Sequence, residues 1–214
     1  MNETEAIELL KKHSSDETSY KRVLSHALAV KRLAVFIADD ILEHHKDKGD
    51  IQIAVDFIKS ACILHDIGRF KCPPGPDSVK HGVAGAEILR AEGVDERYAH
   101  VCERHLGAGI SKDEVEKKKL PLPPRDYLPV SIEEKIIAYA DTLVAGDKIV
   151  KIEHAEERFE NEIDPEAGRR VRALHEEIDG LMKSSADDLH KLDAKKDKDT
   201  DESSDDEGEK DSNA

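Results

Sequence analysis

All eight prolines of this 214-residue chain fall in three places: positions 73–76, positions 121–129 and position 165. Proline removes a backbone donor and clashes with the turn before it, so it marks where helices cannot run. The stretches between these places are long, proline-free and apolar at helical rather than alternating spacing. Ile51-Gln52-Ile53 is the one short alternation. The chain therefore reads as all-α, a bundle of about six to eight helices.

Start and stop signals divide it further. A short helix is expected over about 3–12, and Ser14-Ser15-Asp16-Glu17 recaps the chain for a long one over about 16–46. Others are expected over 51–67, from Asp77 or Ser78 to about Gly93, and from Asp95 to about Gly107. Ser131 with Glu134 forms a capping-box pattern that opens a helix over 132–145. Asp164-Pro165 starts the last, over about 166–182, with Asp as N-cap and Pro at the first position. Its amphipathic face, with Val171, Leu174, Ile178 and Leu181, could cover the body or a second copy, so a homodimer is allowed. Residues 107–130 read as a long irregular connection. Residues 194–214 hold nine acids, four lysines and no apolar residue larger than Ala, the composition of a disordered acidic tail. The expected organisation is an N-terminal helix and turn (1–17), a main domain (18–150), a helical extension (151–193) and the tail (194–214).

Composition removes several functions. The net charge is −15, with 48 acids against 33 bases. Such a surface repels phosphate backbones and anionic lipid, so neither a nucleic-acid polymer nor a membrane is an expected partner. Trp is absent and Phe and Tyr number four each, too few for base-stacking platforms. Cys62, Cys72 and Cys102 form no CxxC pair, and no stretch is apolar enough for a membrane span. A reduced, cytoplasmic protein is the expectation. An anionic substrate would need a local positive device.

Five polar residues sit on apolar helix faces. His26 aligns with Val30, Leu33 and Ile37, and His65 ends an apolar helix beside Asp66. His81 aligns with Ile88 and Leu89, His105 with Val101 and Cys102, and Asp141 with Ile137 and Val144. One buried histidine is usually a hydrogen-bonded core residue, but a buried carboxylate needs a partner. Five such positions plus Asp66 are most economically explained if they converge on a metal inside a bundle. Imidazole and carboxylate together suit Fe, Mn, Zn, Ni or Co better than Mg alone.

His26, His65-Asp66 and Asp141, in that order on helices, resemble the signature of HD-domain metal-dependent phosphohydrolases. Ile67-Gly68 extends the pair to the HDIG form. The resemblance covers roughly residues 18–150. His81-Gly82 with Gly85-Ala86, and the run from Ser131 to Asp141, are similar to bacterial HD enzymes that split diadenosine tetraphosphate. The run Glu103-Arg104-His105-Leu-Gly-Ala-Gly-Ile and the 121–129 loop are similar to small archaeal HDIG proteins. The 107–130 loop departs from the bacterial enzymes.

The resemblance implies a hydrolase acting on a phosphate ester or anhydride of a nucleotide-like small molecule, through attack of a metal-bound hydroxide. It implies one divalent transition ion on His26, His65, Asp66 and Asp141, and a second on Asp66, His81 and His105, with Asp66 shared. A one-ion arrangement that uses His81 and His105 on phosphate stays open. Catalytic roles fall to His65, Asp66 and Arg69. Arg69, Lys80 and Arg104 are candidates for holding substrate phosphate. Cys62 and Cys102, one turn before His65 and His105, read mainly as core filler. Two other readings share the ligand set: a diiron oxygenase, and a non-catalytic module that binds a nucleotide or second messenger.

Overall fold

The computed structural model describes residues 1–75 and 77–192. Its helix starts follow from side-chain caps. Asn2 and Glu5 form a capping box at α1 (Glu3–His13), and Asp16 accepts from the Ser19 amide at α2 (Glu17–His45). α3 (Val55–Leu64) and α4 (His81–Ala91) lack side-chain caps. Asp95 caps α5 (Glu96–Arg104), Ser111 caps α6 (Lys112–Lys117) and Ser131 caps α7 (Ile132–Thr142). α8 (Ile152–Glu162) is followed by α9 (Pro165–Asp179), with Asp164 as cap and proline in the first turn.

α2 is the spine, with α3 and α7 packed along it. Leu33, Ile37 and Ile41 of α2, Ile58 and Ile63 of α3, and Ile136 and Ile137 of α7 are fully buried. α4 pairs with α5, and α8 with α9. Val171, Leu174 and Ile178 of α9 join the same core. Its apolar face is therefore covered by the body of the same chain.

Glycine makes the close approach of α4 possible. A Cβ on Gly68 would run into the carbonyl oxygen of His81, and one on Gly82 would stand 2.6 Å from that of Cys102. Backbone thus packs on backbone where the turn after Asp66, the start of α4 and the end of α5 meet.

The all-α reading holds, and four local expectations change. α3 stops at Leu64, and residues 67–70 tighten into a 3-10 turn that swings Asp66 off the helix axis. α4 begins at His81 after a 3-10 turn over 78–80, and neither Asp77 nor Ser78 caps it. α7 ends at Thr142, and its capping box forms only in part. Ser131 accepts from the Glu134 amide, but the Glu134 carboxylate takes the Val130 amide and Arg104 instead. A two-residue antiparallel hairpin, β1 (Val144–Ala145) with β2 (Lys148–Ile149), follows around Gly146 at φ 68°.

The 107–130 connection is more ordered than its prolines suggest. It contains α6, an Ile110–Tyr127 bridge and a buried Tyr127. Nine α-helices result among the described residues, short α6 included. The expected acidic tail, 194–214, lies outside the described residues.

Candidate metal centre

Six predicted side chains from five parts of the chain meet at one point. His26 comes from the middle of α2, His65 from the cap of α3, and Asp66 from the residue after it. His81 opens α4, His105 caps α5 and Asp141 lies in the last turn of α7. Ligand atoms of His26, His65 and Asp66, of His65, His105 and Asp141, and of Asp66, His81 and His105 each lie within 4.8 Å of one another. The side chains of His65, His81 and His105 are almost wholly buried, and that of Asp141 is 18% exposed.

Backbone carbonyls fix the four imidazoles. Nδ1 of His65, His81 and His105 each lies against the carbonyl three residues earlier: Cys62 at 2.6 Å, Ser78 at 2.5 Å and Cys102 at 2.8 Å. Nδ1 of His26 lies 2.8 Å from the Gly146 carbonyl. A carbonyl oxygen only accepts, so each Nδ1 carries the proton. A ring that carries no second proton then turns an Nε2 lone pair inward, the tautomer that metal-ligating histidines adopt.

The result is a hub of acceptors. His81 Nε2 is 2.9 Å from His105 Nε2 and 3.0 Å from Asp66 Oδ1. His65 Nε2 is buried without a hydrogen-bond partner, 3.4 Å from Asp141 Oδ1. Lone pairs at these distances repel unless a cation stands among them. Two nitrogens bound at right angles to one ion at ~2.1 Å stand ~3 Å apart, so the His81–His105 spacing fits a shared ion. Neutral imidazole with carboxylate also fits the chemistry of a divalent transition ion.

Without an ion, a proton takes its place at one corner. Burial disfavours charge on His26, but its hydrogen bond to Asp141, at 2.8 Å, together with the negative charges of Asp141 and Asp66, outweighs this and raises its pKa to about 9. Burial and the neighbouring His65 and His81 hold His105 below the usual value, so it stays neutral. Burial pushes the carboxyls of Asp66 and Asp141 up, but the imidazoles around them prevail and hold both well below the usual range.

The predicted phosphate-binding residues fare differently. Arg69 Nε contacts Asp66 at 3.2 Å, and the side chain borders the cavity described next. Lys80 instead pairs with Asp77 at 2.9 Å, and Arg104 with Glu134 at 2.9 Å. Neither Lys80 nor Arg104 lines the cavity. Cys62 and Cys102 contribute their carbonyls, while burial pushes both thiols up.

The hub floors a cavity of about 660 Å3. Its far wall has no counterpart in the sequence reading: Glu114 from α6 and Lys118 from its C-cap, Arg158 and Phe159 from α8, and Arg170 from α9. Arg170 and Lys118 flank Glu114, at 3.0 and 2.8 Å. Arg158 lies over the Phe159 ring at 5.0 Å and donates to the Thr142 carbonyl. No motif marks these residues. The only signal was the amphipathic run after 164.

A family model for the HD domain matches residues 23–146, a span that contains all six hub residues. The chain belongs to the HD-domain family. Uncharacterized protein MJ0778 of Methanocaldococcus jannaschii is 41% identical over 165 residues, which cover 76% of this chain and 91% of that protein. An archaeal relative of this length agrees with the resemblance to small archaeal HDIG proteins. The tRNA (cytidine(56)-2'-O)-methyltransferases of Picrophilus torridus and Thermoplasma volcanium are each 34% identical, over 89% and 88% of this chain. The chain spans half the length of those two proteins. The HD domain of the L. monocytogenes phosphodiesterase PgpH, solved in complex with cyclic-di-AMP, superposes with a TM-score of 0.47 at 17% identity, covering 84% of this chain and 98% of that one. Among the described residues, no helix of this HD protein is long and apolar enough to cross a membrane.

Proposed function

We propose that this HD protein is a metal-dependent phosphohydrolase that cleaves a phosphate ester or anhydride of a nucleotide-like small molecule. The observation that carries the reading is the cluster of six imidazole and carboxylate side chains opening into a cavity whose wall holds Arg69, Lys118, Arg158 and Arg170 together with Glu114 and Glu162. His26, His65, Asp66 and Asp141 would hold one divalent ion, and Asp66, His81 and His105 a second, with Asp66 common to both. Such ions supply positive charge for phosphoryl oxygens and lower the pKa of water towards ~7.

The chain's own residues do the rest. The carbonyls of Cys62, Ser78, Cys102 and Gly146 keep the imidazole protons away from the hub. Arg69, anchored through Nε to Asp66, keeps its terminal nitrogens for a phosphoryl oxygen. Arg158, which donates to the Thr142 carbonyl, offers charge to a further phosphate, whereas Lys118 and Arg170 are held by Glu114; Leu106, Ile110 and Phe159 offer apolar surface to a nucleoside. The net charge of −15 supports a small substrate rather than an RNA polymer. The methylation in the two methyltransferases' name belongs to chains twice as long. Three free cysteines among the described residues support a cytoplasmic setting.

The test is anaerobic purification with metal analysis, then a screen of nucleotides and dinucleoside polyphosphates. Metal-dependent release of phosphate or nucleotide, lost in His65→Ala and Asp66→Ala, is the expected result. O2 consumption by an iron-loaded protein with no phosphate release would replace this reading with the oxygenase. Tight nucleotide binding without turnover would replace it with the binding module.

A further inference from the structure

We infer that Arg22 and Ser25 form an anion subsite beside the hub, which takes a second phosphate of the substrate. The substrate class is then a phosphoanhydride, extended on both sides of the reacting phosphorus, rather than a terminal monoester. This deepens the hydrolase reading and rests on it.

The geometry is a second cavity, of about 420 Å3. It shares His26, Asp66 and Arg69 with the larger one. A phosphorus bound at that shared edge has room for a substituent on each side. A monoester would fill only one.

Both cavities carry apolar surface, the larger from Leu106, Ile110 and Phe159 and the smaller from Val23 and Pro74. The smaller brings Arg22, Ser25 and Arg69 together, with Asp147 also on its wall. Once cations offset Asp66, two guanidiniums face one carboxylate there.

Most arginines of the chain hold a partner; Arg22 and Arg169 are exposed without one among the described residues, and of these two only Arg22 lines a cavity beside the hub. Arg90, Arg104, Arg125, Arg170 and Arg172 each pair with a glutamate. Acids outnumber bases 48 to 33, so carboxylate partners are plentiful. Arg22 is exposed, and no hydrogen-bond or ion-pair partner for it occurs among the described residues. It lies one helical turn before His26, so both are on one face of α2, and Ser25 is three residues on. A guanidinium with all its donors free, next to a hydroxyl and a second guanidinium, matches a phosphate's oxygens.

The experiment measures equilibrium binding to the metal-loaded full chain by calorimetry, with two hydrolysis-proof probes. Methylphosphonate carries one phosphoryl group, and methylenediphosphonate carries two. Metal content is measured before and after each titration. The wild-type chain should bind the diphosphonate at least ~10-fold more tightly, since charge-assisted hydrogen bonds are worth ~1.5–3 kcal/mol. Arg22→Ala should remove that preference, leave methylphosphonate within about twofold, and keep its metal. Arg22→Lys should restore part of it. Arg22→Ala without effect, or with equal effect on both probes, overturns the subsite. Arg22-dependent binding in a protein that hydrolyses nothing would uphold the subsite and sink the hydrolase. Neither probe binding to the wild type sinks both.

Discussion

Helix α5 ends in two buried ionisable groups two residues apart, Glu103 and His105, and they belong to opposite kinds of cluster. The Glu103 carboxylate is 2% exposed and closed on itself, with Arg90 at 2.8 Å and Arg125 at 2.6 Å. His105 belongs to a cluster of six side chains that face one another with acceptors. A buried charge with its partners in place is architecture, here fastening the 121–129 loop to α5. Buried acceptors left facing one another are a binding site. Inward polarity alone does not separate the two, but the balance of donors and acceptors does.

Mutation should separate them most sharply. Asp66→Ala should lower hydrolysis at least ~1000-fold, about 4 kcal/mol in the barrier. The metal-free protein should unfold within ~1 kcal/mol of wild type, because the lost pairing of Asp66 with Arg69 and the imidazoles is offset by removal of an acceptor facing other acceptors. Glu103→Ala should do the reverse: a loss of ~2 kcal/mol in denaturant unfolding, because Arg125 loses its anion while Arg90 keeps only Glu96, with metal content retained. A large stability loss in Asp66→Ala would erase the contrast.

Metal should act on one cluster only. At about a hundred times its dissociation constant, a divalent ion should raise wild-type stability by ~2.7 kcal/mol. The same addition should leave Asp66→Ala unmoved and still stabilise Glu103→Gln. A thermal melt with and without chelator reads this directly.

Acid should probe the closed cluster. Burial pushes the Glu103 carboxyl up, but Arg90 and Arg125 outweigh that and hold it below its usual value. The folded state therefore binds this proton less readily than the unfolded chain. Its contribution is present above the unfolded pKa of ~4.3 and is lost as pH falls through the lower folded value. The stability gap between wild type and Glu103→Gln should shrink from about pH 6 to about pH 3. A gap that stays constant over that range would contradict the pairing. The smallest effect belongs to Arg125→Ala. That side chain is 47% exposed, so solvent screens it, and the loss should be ~1 kcal/mol or less.

The hub was legible because burial of a polar side chain leaves a trace in helical periodicity. His26 among Val30, Leu33 and Ile37 is such a trace, and so is Asp141 beside Ile137. Helix geometry also sets which cations stand off the cavity. Arg104 precedes His105 by one position, about 100° around the helix, so it points to Glu134 and away from the cavity. Lys80 sits in a 3-10 turn that presents it to Asp77. The carbonyls that orient the histidines have no side-chain signature. Arg158, Phe159 and Arg170 reach the cavity only because α8 and α9 fold back over it, a long-range packing that no local pattern records.

The most direct measurement is anomalous diffraction from crystals grown with a transition metal and collected at its absorption edge. The account predicts a peak within ~2.0–2.3 Å of Nε2 of His65, His81 or His105 and of a carboxylate oxygen of Asp66 or Asp141. A fully loaded protein whose anomalous peaks all lie elsewhere, with the hub holding only water, would contradict it.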